Sequence, residues 1–139
     1  MDFTVTTSVL VQPPDPEELA GLFNAVGWGQ NDPSIVGQSI DAYPFTACAR
    51  TEGGKLIGYL SAFSDGVMST LLGELVVHPE WRRQGVARSL LTALERRYPS
   101  APIYIKALGD SRHFYEAIGF KVPKAEFTVM FKRPSATFT

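Results

Sequence analysis

The chain has 139 residues, enough for one compact core and short for two. It is 45% hydrophobic and 19% charged, an ordinary globular balance, and 13 basic against 14 acidic residues leave a net charge of −1. That balance excludes a bulk positive field for nucleic acid or a membrane surface, and the one cysteine excludes an internal disulfide and a cysteine-rich metal site. No apolar run is long enough to cross a bilayer.

In chain order, MDFTVTTSVLVQPP has no basic segment, apolar core and cleavage site, so a cytoplasmic protein is expected. Residues 3–11 read as a first strand ending at Pro13-Pro14. Asp15-Pro16-Glu17-Glu18 reads as a helix start with Asp15 as N-cap, and Leu19, Leu22, Phe23 and Val26 keep helical spacing up to Gly27. GWGQNDPS is a loop, and SIVGQSIDAY a second short helix. FTACART (45–51) and KLIGYLSAF (55–63) are strands joined by a Glu52-Gly53-Gly54 turn, and SDGV (64–67) leads into a third, 68–77. Cys48, inside FTACAR, reads as a small buried hydrophobe. Residues 86–98 form an amphipathic helix stopped by Pro99, with Val86, Leu90, Leu91 and Leu94 on one face. PIYIKAL (102–108) is a strand, SRHFYEAI (111–118) a helix closed by Gly119, and FTVMFK (127–132) a last strand. The order predicts a mixed α/β (α+β) sheet in a single domain, 1–139. Antiparallel hairpins come first, and one strand–helix–strand crossover then supplies a parallel pair.

The chemistry gathers in VVHPEWRRQGVARSLL (76–91). An apolar strand stops at His78-Pro79, a basic turn follows, and a helix begins without a Ser, Thr, Asp or Asn before Val86. A helix start has unpaired N–H groups and partial positive charge, which suits a phosphate. Gly85 and Ala87 keep the backbone approachable, while Arg82, Arg83 and Arg88 add charge. An exposed turn with solvated arginines is the alternative at this point. Glu74 is the lone carboxylate in the apolar run LLGELVV; it reads as a general base, or as a carboxylate tied to an arginine or facing a polar surface.

Arg82-Arg83-Gln84-Gly85-Val86-Ala87 resembles the R/Q-x-x-G-x-G/A segment of the GCN5-related N-acetyltransferase (GNAT) superfamily. HFYEAIGF (113–120) is similar to that family's C-terminal element, and VGWG and SDG look like its small single-domain branch. The resemblance implies a mostly antiparallel sheet splayed at a parallel strand pair, with acetyl-CoA as co-substrate and no metal. Backbone groups of Leu75, Val76 and Val77 would pair with the pantetheine arm. The segment Arg82, Arg83, Gln84, Gly85, Val86, Ala87 and Arg88 would hold the pyrophosphate. Tyr115 matches the family's general acid, and a phenol is protonated at neutral pH. Glu74 would serve as base, with His78 as the alternative and His113 structural. Where many relatives carry an asparagine seven residues before the tyrosine, this chain has Leu108; its contact would come from backbone or Ser111.

On the acceptor side the resemblance places Phe23, Trp28, Tyr43, Phe45, Phe127 and Phe131; aromatics at element ends read mostly as core, and Trp28, between two glycines, is the exception that best suits a ligand wall. Asp32 and Asp41 could attract a cationic amine or act as caps. The expected function is N-acetylation of a small primary amine. A protein lysine acceptor and a silent acyl-CoA-binding domain are the alternatives. No nucleic acid or membrane partner is expected, and FTVMF could add to the sheet of a second copy in a homodimer.

Overall fold

The computed structural model describes residues 7–134. The chain divides into two compact units, Met1–Lys106 and Ala107–Thr139.

The first unit is a five-stranded sheet in the order β1-β2-β3-β4-β5. Its strands are β1 (Thr7–Leu10), β2 (Phe45–Thr51), β3 (Leu56–Ser64), β4 (Thr70–Val77) and β5 (Ile103–Tyr104). β1 through β4 pair antiparallel; β5 joins β4 in parallel after the crossover helix α3 (Val86–Arg97). This is the mixed sheet the sequence predicts. Residues 3–6 of the expected first strand lie outside the described residues.

Local chemistry explains the turns. Gly54, at φ +92°, closes the β2–β3 hairpin, and Asp65 Oδ1 accepts the N–H groups of Val67, Met68 and Ser69 in the turn before β4. Two helices precede β2: α1 (Pro16–Ala25) and α2 (Pro33–Ala42). Each has proline at its first position, where a missing N–H costs nothing. Asp32 caps α2 by accepting the Ser34 N–H at 2.9 Å, whereas Asp15 occupies the N-cap of α1 without a side-chain bond.

Apolar faces set the layers. Leu19 and Leu22 of α1 and Val36 and Ile40 of α2 pack with Cys48, Leu56, Tyr59 and Val76 of the sheet. Each fully buried leucine there contributes about 1.5–3 kcal/mol. Cys48 is fully buried, as expected, and donates its thiol to the Gln12 carbonyl. The bidentate pair of Arg50 with Glu18, both bonds 2.8 Å, ties β2 to α1. On the opposite face, α3 lies so close that a Cβ at Gly58 would stand 2.9 Å from Val86 Cγ1 and 3.1 Å from Leu90 Cδ1. Gly58 thus sets how near the start of α3 comes to the sheet.

The second unit carries α4 (Ser111–Ala117). The expected final strand is not formed: residues 127–132 make no ladder among the described residues, and Phe127, Val129, Met130 and Phe131 are exposed. The alternation there is that of a strand, but a strand exists only where a neighbour takes its N–H and C=O groups. The strand expected over 102–108 shrinks to Ile103–Tyr104 for the same reason.

Candidate active site

β3 and β4 run in register from Gly58↔Val77 to Leu60↔Leu75, then resume at Ala62↔Leu72. One residue, Ser61, therefore faces two, Gly73 and Glu74. This is a β-bulge, which bends the strand and re-aims a side chain. The Ser61 Oγ accepts the Glu74 N–H at 2.9 Å and donates to the Glu74 carboxylate at Oε2. Glu74 is half-buried, and its partner is a serine, not an arginine.

Tyr43, which ends α2, stacks its ring on Phe63 with centroids 4.5 Å apart and covers the bulge. A Cβ at Gly73 would lie 2.6 Å from Tyr43 Cζ, 2.7 Å from Ser61 Oγ, and against the Tyr43 hydroxyl. Burial, and then the Glu74 carboxylate, push the Tyr43 phenol above its usual range, while hydrogen bonding to Ser61 pulls the other way. Tyr59, almost fully buried, is pushed up for the same two leading reasons. An aromatic row runs outward from it: Tyr59 meets Phe23 edge-on at 6.4 Å, and Phe23 meets Trp28 at 5.2 Å. Trp28 is half-exposed, held by its N–H on the Phe23 carbonyl between Gly27 and Gly29, both at positive φ.

β4 loses its parallel neighbour just before the bulge. β5 pairs only with Thr70 and Leu71, so among the described residues the edge of β4 from Leu72 onward is unpaired on that side. His78 donates its N–H to Ile57 across β3. By alternation, Val77 and Leu75 turn their polar backbone groups to the free edge. Arg82 Nε donates to the Val77 carbonyl at 3.2 Å, so Arg82 serves the strand edge first. Val76 is buried beside Tyr59, and by the same alternation its backbone groups face β3.

Past a short 3-10 turn (Pro79–Trp81), Arg83 sits at φ +64° and Gly85 at φ +81°. Arg83 holds a conformation that costs a non-glycine residue about 1 kcal/mol or more. Gly85 is needed for its dihedral, not for crowding, since a Cβ there would meet nothing within 4 Å. No side chain caps α3, as expected, and its first intrahelical bond is Ser89 N–H to Gly85 O. The N–H groups of Val86, Ala87 and Arg88 precede that bond, while the Val86 and Ala87 side chains are buried. Gln84 donates to the Glu80 carbonyl, and Arg83 and Arg88 are exposed. Such a start fits a diphosphate.

In the second unit, Tyr115 of α4 is half-buried between Phe114 (5.2 Å) and Phe120 (5.4 Å), and burial pushes its phenol up. Neighbouring His113 is exposed, with Nδ1 4.0 Å from Glu116 Oε1. Ser111 donates its hydroxyl to the Leu108 carbonyl. His78 accepts the Glu80 N–H on Nδ1, which gives it a capping task at the strand end.

At two acceptor-side positions the structure selects the alternative reading. Phe45 is buried against Tyr98 of the α3 segment, at 6.1 Å, and belongs to the core; Asp32 is a helix cap. Sequence reasoning named Tyr43 only as a wall and missed Ser61. The signal was available: a glycine beside a lone carboxylate inside a strand marks a bulge. Among the described residues, no group of three or more His, Cys, Asp or Glu side chains could hold a metal ion. No helix there is long and apolar enough to cross a membrane.

The chain resembles known proteins in sequence and in fold. A mycothiol acetyltransferase of Kineococcus radiotolerans is 41% identical over 64 residues, covering 45% of this chain and 21% of that protein. The chloroplastic GCN5-related N-acetyltransferase 3 of Arabidopsis thaliana is 31% identical over 108 residues, 75% of this chain and 44% of that protein. The chain thus spans less than half the length of either relative. Among solved structures, a GNAT-family acetyltransferase of Streptococcus pneumoniae superposes with a TM-score of 0.76 at 21% identity, over 92% of this chain and 99% of that one. AAC(6')-Iy, in complex with a bisubstrate analog of CoA and acetylneamine, does so with 0.70 at 17%, over 94% and 99%. The model of the acetyltransferase (GNAT) domain matches residues 44–122, from the start of β2 past the end of α4. With more than half the chain matched and the fold shared, this protein belongs to the GNAT acetyltransferase family.

Proposed function

We propose that the chain acts as one catalytic domain that transfers the acetyl group of acetyl-CoA to a primary amine of a small molecule, by direct attack in a ternary complex. The observation that carries this reading is Glu74, a carboxylate anchored in a bulge near the start of the unpaired edge of β4. The edge groups of Leu75 and Val77, with Val76 between them, take the pantetheine arm as an added strand would. Amides of the segment from Arg83 to Arg88 take the pyrophosphate, with Arg82 adding charge.

Acetyl-CoA supplies the activated thioester. Glu74 accepts the proton that the amine sheds, directly or through water, as nitrogen bonds to the carbonyl carbon. The carbon–sulfur bond then breaks, and Tyr115 donates its phenolic proton to the leaving thiolate; solvent reprotonates the tyrosinate. A raised phenol is a donor throughout the neutral range, which suits that part. The row Trp28–Phe23–Tyr59 offers an apolar wall for the body of the amine. The related enzymes AAC(6')-Iy and AAC(6')-Ih, from Acinetobacter baumannii in the latter case, are aminoglycoside-class N-acetyltransferases of the same fold, which supports a small-molecule acceptor.

The test is thiol release from acetyl-CoA with a panel of tyramine, tryptamine, spermidine, glucosamine and neamine, beside lysine peptides. Turnover on small amines is expected. Tyr115→Phe and Glu74→Gln should each lower kcat by about 10²–10³-fold while acetyl-CoA still binds. Turnover confined to peptides would overturn the small-molecule acceptor, and tight acetyl-CoA binding without turnover would point to a silent binding domain. Light scattering tests a homodimer, and cell fractionation a cytoplasmic location.

A further inference from the structure

We propose that Ser61 and Tyr43 are positioning residues for Glu74: Ser61 bonds one carboxylate oxygen and the backbone behind it, and Tyr43 packs over that bond, leaving the other oxygen for the acceptor amine. This rests on the reading of Glu74 as the base.

A serine has one proton to give. Ser61 is fully buried, its oxygen accepts the Glu74 N–H, and its proton goes to Oε2 of the same residue. Both capacities of the hydroxyl are therefore used on Glu74, which fixes the hydroxyl rotor and ties the glutamate's side chain to its own backbone. The bulge explains why a side chain is needed. Where two residues oppose one, a ladder N–H loses its carbonyl partner, and a buried N–H left alone costs about 1–3 kcal/mol. An alanine at position 61 would leave both the amide and the carboxylate oxygen without this bond.

Tyr43 completes the enclosure. Its ring is held by Phe63 and by the end of α2, and it reaches the bulge because Gly73 has no side chain there. Burial and the Glu74 charge oppose ionisation of the phenol, so at neutral pH it adds no second negative charge beside the carboxylate. Restraint of this kind matters for a base, since a misplacement of about 1 Å can lower a rate by about a hundredfold.

The experiment measures kcat and the KM for acetyl-CoA with the fastest amine of the panel above. It compares Ser61→Ala and Tyr43→Phe in the wild-type and Glu74→Gln backgrounds. Each single substitution is expected to lower kcat by about ten- to a hundredfold, with the KM for acetyl-CoA within about twofold. In the Glu74→Gln background neither should lower kcat further, because residues acting through one group are not additive. Equal losses in both backgrounds would overturn the positioning role and leave Glu74 as base. Wild-type kcat in Glu74→Gln, or no turnover on any amine of the panel, would overturn both readings. Tyr43→Phe keeps the ring on Phe63 and over Gly73, so it carries the same test if Ser61→Ala fails to fold.

Discussion

The two ends of β4 solve opposite problems. The turn that follows it, from Arg82 to Arg88, is exposed, its glycine has open space around it, and its helix start has no side-chain cap. The bulge within it is enclosed: Ser61 is fully buried, Tyr43 fills the place of a side chain at 73, and the Glu74 amide and carboxylate are both bonded. An anion is gripped by many backbone groups and tolerates small displacements. A proton acceptor must stand at one place. In the proposed roles, packing fixes the proton acceptor and dihedral angles shape the anion site.

The contrast is broken most severely by adding one methyl group to the enclosed end. Gly73→Ala should push Tyr43 off the bulge and lower kcat by about a hundredfold, with the KM for acetyl-CoA little changed in steady-state assays. An unaltered kcat would mean that Tyr43 is not confined by the glycine. At the open end, Gly85→Ala meets no atom but must hold φ +81°. It should cost about 1 kcal/mol of stability, a Tm loss of a few degrees by calorimetry, and raise the KM for acetyl-CoA several-fold with kcat retained.

Two milder tests address the packed face beneath the bulge. Burial pushes the Cys48 thiol up to about 11, so almost no thiolate exists at pH 8. Alkylation by iodoacetamide should then be slow and should accelerate only when denaturant opens the core; fast labelling of the native protein would contradict the packing. The smallest effect is expected at Glu18, whose carboxyl the Arg50 guanidinium holds below its ordinary value. A folded pKa below the unfolded one stabilises above the unfolded value, and that contribution is lost as pH falls through the folded value. The pair is partly exposed, so Glu18→Gln should cost no more than about 1 kcal/mol at pH 7, and nothing at pH 2, by urea denaturation.

Legibility in the sequence followed the range of the interactions. The α1 start, the hairpin turns, the amphipathic α3 and the basic turn with its glycine depend on neighbours within a few residues, and these were readable. Glu74 was singled out because a carboxylate in an apolar strand is conspicuous. Its partner was not, since Ser61 lies on another strand, thirteen positions away, and is identified only by a register shift. LLGELVV reads as an uninterrupted strand unless its glycine is taken as a break. Phe45 looked like Tyr43 in the sequence, two residues apart in one loop-to-strand step, yet one packs against Tyr98 and the other covers the bulge. Strand alternation over 127–132 misled for the converse reason: the pattern is local, but the partner a strand requires is not.

The parting of β4 from β5 after Leu71 leaves a strand edge without a ladder partner among the described residues. Such an edge is a template for any extended chain, including another molecule's, and proteins usually blunt it. Here the template is short. It carries a carboxylate near its start and has Arg82 over its last carbonyl. On the proposed reading, an edge that takes a flexible thioester arm by strand-like pairing must also reject polypeptide, so selectivity against aggregation and selectivity for the co-substrate would be set by the same few backbone groups.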